Sequence, residues 1–306
     1  MLTDGAAAQY GTDAIAGVVN IILKKNSHGG TISAQGGQYY KGDGLQTDFS
    51  ANLGIAPTDK TFLNLTFESK YHGLTFFGDV DPRVVIRSST DTTNTARLAT
   101  YPLIKSFPNY PYVNRIGGNG QAQQQNLMLN AGYDATRPSS STPSANIGYH
   151  DGRAYENYRV PSAIVSSANV PLYPAGFGPM ENNRDVDYAL TMGAKGDHRL
   201  RHHLNFTSAY GRDYERVYVL GSGNADLYYD TGATPTNFHD GDFTNTQWTN
   251  TVDLTHTLDL GLAEPLTLAA GGEYRIDSYQ IKAGDPESYY ATRRAPLGNG
   301  GGAQSF

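Results

Sequence analysis

Three histidines crowd one short stretch, His198, His202 and His203, with Asp197 beside them. Imidazoles next to a carboxylate are the raw material of a metal centre. The stretch also reads as a tight turn, where polar and charged residues collect for solvation. No second ligand set follows at a recognised spacing, so no metal site is assigned. Carboxylates come in pairs: Asp79 with Asp81, Asp185 with Asp187, Asp240 with Asp242, and Asp285 with Glu287. Such pairs could flank a glycosidic bond or hold calcium. None has the spacing of an EF-hand loop and nothing brings two pairs together, so solvated loop charge accounts for them. The G-x-S-x-G, P-loop and H-E-x-x-H patterns are absent. No catalytic residue and no cofactor are assigned, and the chain is read as a non-enzyme.

Aromatic side chains carry more promise. Tyr101, Phe107, Tyr110, Tyr112, Tyr149, Tyr155, Tyr158, Tyr173 and Phe177 fall in one long irregular region, Tyr228 and Tyr229 in a second, Tyr289 and Tyr290 in a third. Rings with a hydrogen-bonding tip suit capture of a sugar or of another ring. Tyr110, Tyr112, Tyr155, Tyr158, Tyr228 and Tyr229 are the candidates for ligand contact. The alternative for any single ring is that it folds its loop onto itself; for the set, some ligand contact is expected.

The elements that would hold these loops are strands. The 306 residues are 38% hydrophobic and 17% charged, with 35 Gly, 22 Tyr, 11 Phe, one Trp and no Cys. Both fractions are low for a soluble globular chain. They suit a sheet with one face on lipid and the other wet. They suit a secreted β-solenoid or β-sandwich as well. A net charge of -6 argues against a nucleic-acid partner. Lack of Cys excludes a disulfide framework and Cys-ligated metal. No run approaches 18 apolar residues, which excludes a transmembrane helix and leaves a barrel open.

Alternation identifies the strands. From Trp248, the even positions Val252, Leu254, Leu258 and Leu260 oppose Thr249, Thr251, Asp253, Thr255, Thr257 and Asp259. Leu266, Leu268, Tyr274 and Ile276 then oppose Thr267, Glu273, Arg275 and Asp277, so the two segments form a hairpin. Five further strands are read at 31–39, 46–53, 61–71, 186–194 and 204–210. Short turns at 54–60, 195–202 and 261–265 alternate with long loops at about 72–185, 212–246 and 284–306, the asymmetry of outer-membrane barrels. The first hairpin, with its short link at 40–44, is the exception. Seven strands are odd in number and cannot close a bacterial barrel. The expectation is an interior piece of a larger protein, an incomplete antiparallel transmembrane β-barrel in the all-β class. A further strand within 125–134 is an alternative, giving an eight-strand count. Tyr71, Tyr188, Tyr210 and Trp248 read as an interfacial aromatic girdle.

Small residues and glycines gather around Tyr10 in the stretch from Asp4 to Lys25, DGAAAQYGTDAIAGVVNIILKK, which ends in a β-branched run. This stretch resembles the end of the plug domain of TonB-dependent outer-membrane receptors. The resemblance implies that 1–27 is the C-terminal end of a plug and 28–306 the N-terminal part of a barrel. It implies structural roles for Gly5, Tyr10, Gly11, Ala14, Gly17, Asn20 and Ile21, with 18–23 as the last plug strand. It further implies a Gram-negative outer-membrane location in contact with lipid and energy-coupled uptake of a scarce nutrient. An iron-siderophore is the family default, with oligosaccharide or cobalamin as alternatives. The driving partner would be the TonB–ExbB–ExbD complex, engaged through an N-terminal region that this chain lacks. The export signal, the rest of the plug and the later strands would also lie elsewhere. Two other classes compete, a secreted adhesive β protein and a glycoside-acting enzyme. Produced without detergent, the chain is expected in inclusion bodies. Soluble monomer that unfolds cooperatively would sink the barrel reading.

Overall fold

The structure, a computed structural model, describes residues 21–78, 80–115, 117–136, 139–198, 202–261 and 265–291. One antiparallel sheet dominates it. Its strands are β1 (Gly30–Gly37), β2 (Gln46–Ile55), β3 (Thr61–His72), β4 (Gln121–Thr136), β5 (Ser139–Ser141), β6 (Ser144–Tyr155), β7 (Met180–His198), β8 (His202–Leu220), β9 (Asn237–Leu258) and β10 (Leu266–Ala283). They pair in sequence order, a meander, except that the three-residue β5 shares its place between β4 and β7 with β6. Nine strands are long and β5 is a short filler.

The expected loop at 72–185 is therefore corrected. Its middle is the hairpin of β4 and β6, which lies within the sheet, and 73–120 and 156–179 remain as the long connections. The alternative strand at 125–134 falls inside β4. Likewise β8 continues to Leu220 and β9 begins at Asn237, so the loop expected at 212–246 contracts to 221–236. Of the proposed last plug strand, residues 21–23 are irregular, and Ile21 is 78% exposed. Gly5, Tyr10, Gly11, Ala14, Gly17 and Asn20 lie outside the described residues.

Register carries the alternation from strand to strand. Ala51, Phe67, Leu127, Ile147 and Tyr188 are successive partners across β2, β3, β4, β6 and β7. Leu190, Tyr210, Trp248 and Ile276 continue the same face across β7 to β10. These side chains stand open, Ile147 at 51% and Trp248 at 45% exposure. On the reverse face, Ser50, Glu68, Asn126, Gly148, Asp187 and Asp213 are partners in the same way. The sheet thus has one apolar and one polar face, each continuous. Along β10 the apolar face runs from Leu266 to Ile276. At about 3.4 Å per residue and a 45° tilt that is roughly 24 Å, close to the apolar band of a barrel.

Residues 21–29 lie against the polar face, and asparagines fasten them there. Asn64 Nδ2 donates to Asn26 Oδ1 at 2.6 Å, and Asn64 Oδ1 accepts from Asn52 Nδ2 at 2.7 Å. Asn52 also reaches Thr66 Oγ1, and Asn130 Nδ2 donates to the Lys24 carbonyl at 2.8 Å. The Gly54 amide donates to the Gly29 carbonyl at 2.8 Å. Asn52, Asn64 and Asn130 are all buried. A Cβ on Gly54 would collide with the Asn26 backbone carbonyl, so only glycine permits this approach. Asn64→Ala strands its partners and should cost about 1–3 kcal/mol. Both Asn64→Ala and Gly54→Ala should speed tryptic cleavage after Lys24 and Lys25 in detergent-refolded protein. Unchanged cleavage in both would show that the clasp does not hold the segment.

Candidate ligand-binding site

All the loops with internal structure leave the sheet at one end, the end opposite the short connections from β2 to β3, β7 to β8 and β9 to β10. The first, 73–120, carries helix α1 (Thr92–Thr100), started by Asp91, whose carboxylate accepts from the Asn94 amide. A 3-10 turn at Pro102–Ser106 follows. Val84, Leu98, Ile104 and Val113 form a small apolar core, and Tyr158 from the second loop inserts into it. Phe107 meets the Tyr158 ring edge-on at 4.9 Å. The Tyr158 hydroxyl donates to the Ala175 carbonyl at 2.8 Å, and its amide donates to Asn114 Oδ1 at 2.8 Å.

An ion pair braces this core. Arg83 donates through Nε and Nη2 to the two oxygens of the buried Asp81, at 3.0 and 2.7 Å, and through Nη2 to the Tyr158 carbonyl. Burial works against ionisation of Asp81, but its bonds from the Arg83 side chain and amide prevail and hold its carboxyl below the usual range. The Asp81 bond correspondingly raises Arg83. The stabilisation is present above the ordinary Asp value of 3.8 and is lost as pH falls below it.

A second core joins Ile164 and Phe177 of the second loop to Ala225 of the third. The rings of Tyr173 and Phe177 stack at 4.6 Å, and the Tyr173 hydroxyl donates to the Ser222 carbonyl at 2.6 Å. Asn224, fully buried, caps helix α2 (Ala225–Thr231) and donates to the carbonyls of Glu287 and Tyr290. Four chain segments are thereby linked into one cap.

Between these loops lies a cavity of about 290 Å³, lined by Phe107, Pro108, Val113, Arg115, Tyr155, Glu156, Tyr173, Gly176, Phe177, Gly178 and Gly221. Arg115 is its most distinctive member. Its guanidinium sits 5.3 Å from the Phe76 ring and 5.2 Å from the Tyr155 ring, and Nη1 donates to the Tyr155 hydroxyl at 3.1 Å. Its Nε is buried without an acceptor. An unpaired buried donor beside aromatic walls suits an anionic or strongly polar planar group. The volume is at the low end for small-molecule sites and fits one ring-sized part of a larger ligand. Glu156 is the single carboxylate lining the cavity, so a flanking pair for glycoside hydrolysis is not assembled there.

The six candidate tyrosines divide. Tyr155 lines the cavity, and Tyr112 is 52% exposed. Tyr110 packs against the first core and donates to the Val84 carbonyl at 2.9 Å. Tyr228 packs against the second, and Tyr229 is half-buried in α2. Tyr158 has no exposed surface; as a ligand contact it is corrected to a core residue, because its loop folds back over it. Arg115 was not among the candidates; a lone cation in an aromatic loop is a weak sequence signal. Asp79 lies outside the described residues, as do the side chains of Asp197, His198 and His202. Among the described residues no group of three metal-ligating side chains converges. No protein-family model matches this chain, and no curated protein is significantly similar to it.

Burial pushes the Tyr158 phenol up to about 12, further raised by Asp81. A folded state that keeps the phenol protonated is stabilised fully below the ordinary value of 10.0, and that stabilisation is lost as pH rises toward 12. Tyrosinate absorbance should show a late-titrating ring, absent in Tyr158→Phe. That variant, which loses one hydrogen bond, should destabilise the cap by about 0.5–1.5 kcal/mol. Identical titration curves would place Tyr158 in solvent.

Proposed function

We propose that this sheet is a sector of a transmembrane β-barrel receptor of the TonB-dependent kind, with its loop cap facing outward to capture a scarce nutrient. The observation that carries the reading is the continuous apolar face, about 24 Å high by strand geometry, with Tyr149, Tyr188, Tyr210, Trp248 and Tyr274 along it. Water alone gives no reason for so much open apolar surface in one band. Lipid does. The polar reverse face, the long loops gathered at one end and the plug-like stretch at 4–25 all support the same assignment. Residues 21–29 fastened to the polar face fit a chain passing from a plug into the wall.

On this reading the cap takes the ligand, and Arg115, with its aromatic neighbours, holds an anionic ring-bearing portion. A ferric siderophore is the first substrate class; oligosaccharide and cobalamin are the others. Passage inward would be driven by the TonB–ExbB–ExbD complex acting on the plug.

Trp248 is the sole tryptophan, which makes the lipid contact directly testable. In reconstituted bilayers its fluorescence should be quenched by brominated acyl chains, and Leu190→Arg should cost about 2–4 kcal/mol of folding stability. Unquenched fluorescence would remove the membrane reading. Ligand binding is checked by titrating the detergent-refolded chain with ferric siderophores, oligosaccharides and cobalamin. Arg115→Leu should weaken the ligand that binds by about tenfold, the scale of a charge-assisted hydrogen bond. Equal affinity in wild type and variant would remove the cavity from the ligand path.

A further inference from the structure

Strands β7 and β8 sort their charges by sign. Above the apolar band, the sequence Arg184-Asp185-Val186-Asp187 faces Arg212-Asp213-Tyr214-Glu215-Arg216 across the ladder. On the polar face Asp185 is the partner of Glu215, and Asp187 of Asp213. On the apolar-band face Arg184 is the partner of Arg216, and Arg212 lies on the same face of β8. Like charges placed directly opposite destabilise a sheet unless something neutralises them.

The rings around these arginines hold them in place. Tyr214 lies between Arg212 and Arg216, 6.0 and 5.2 Å from their guanidinium carbons, and Tyr218 lies 4.9 Å from that of Arg184. Two carboxylates share this face, Asp151 opposite Arg184 and Asp242 opposite Arg216, and both are divided among several cations. Asp151 serves both Arg153 and Arg184 at 3.1 Å, and Asp242 pairs with His239 at 2.6 Å. Among the described residues neither Arg212 nor Arg216 has an ion-pair partner. Both are exposed.

We propose that Arg184, Arg212 and Arg216 form a binding site for the phosphate headgroup of a membrane lipid. This rests on the membrane reading above, because the cluster begins two residue pairs above the Tyr210–Trp248 level, where the acyl region gives way to headgroups. A phosphomonoester brings close to two negative charges and three acceptor oxygens, which matches several guanidiniums on one face better than a single carboxylate does. On this face Arg153, Arg184, Arg212, Arg216 and Lys282 outnumber Asp151 and Asp242, and a bound phosphate offsets that excess of positive charge.

The test uses the full chain refolded in neutral detergent, with Trp248 fluorescence as the readout. Short-chain phosphatidic acid should bind saturably, and phosphatidylcholine of the same chain length should not. The double variant Arg184→Gln/Arg216→Gln should lose at least tenfold in affinity for phosphatidic acid, while Lys105→Gln, in the cap, keeps it. Equal binding by the double variant and wild type would overturn the site. Equal binding of inorganic phosphate would overturn the lipid assignment in favour of a simple anion site. Quenching by brominated chains, measured separately, reports insertion whatever the headgroup. Quenching without an arginine effect therefore rejects this site and leaves the membrane reading standing.

Discussion

One constraint governs this molecule: a period of two must be kept in register from β1 to β10. A slip of a single residue at any ladder would turn one strand's apolar side chains onto the polar face. The register holds across β2, β3, β4, β6 and β7 with no shift in the long ladders. It breaks between β8 and β9 at Val217 and Tyr218, above the apolar region. There the irregular register around Asp240 alters which face the following residues occupy, at a level where no apolar band has to be preserved. The cap, the clasp on residues 21–29 and the sorted charges all depend on this faithful alternation below.

Much of the sheet was legible because hydrophobicity alternates wherever one face is apolar. β9 and β10 could be paired from the sequence alone, and their observed register pairs Leu254 with Ala270 and Trp248 with Ile276. The failures have a common physical cause. β4 opens with Gln121-Ala-Gln-Gln-Gln-Asn126, and β6 carries Gly148 and Gly152 on its polar face, so neither displays a clean apolar set. The stretch of β8 from Arg212 to Arg216 is polar on both faces. Hydropathy is flat there, while the sign of charge alternates from Arg212 to Arg216. Overlooking the β4–β6 hairpin drops two strands together, which leaves the direction of every other strand unchanged.

The cap was the least legible part. Its loops are held by side chains that satisfy backbone groups: Asn94 on the carbonyls of Pro82 and Val85, Asn224 on those of Glu287 and Tyr290, Arg83 on that of Tyr158. Such bonds join residues far apart in sequence and follow no period. Composition marked the loop tyrosines as notable but could not separate Tyr158, sealed in a core, from Tyr155, which lines the cavity. Arg115 owes its position to two rings contributed by different parts of the chain, Phe76 and Tyr155. No local pattern encodes that meeting.

The meander has a consequence for how the sheet can be built. Each long strand's partners are the long strands next to it in sequence, so no pairing has to wait for a distant part of the chain. Loop closure is the entropic barrier that slows β assembly, and here each closure spans one connection. The longest of these, 73–120, contains its own helix and core, which shorten the disordered distance to be closed. The sheet can therefore grow one hairpin at a time, each new strand reading its register from the edge laid down before it.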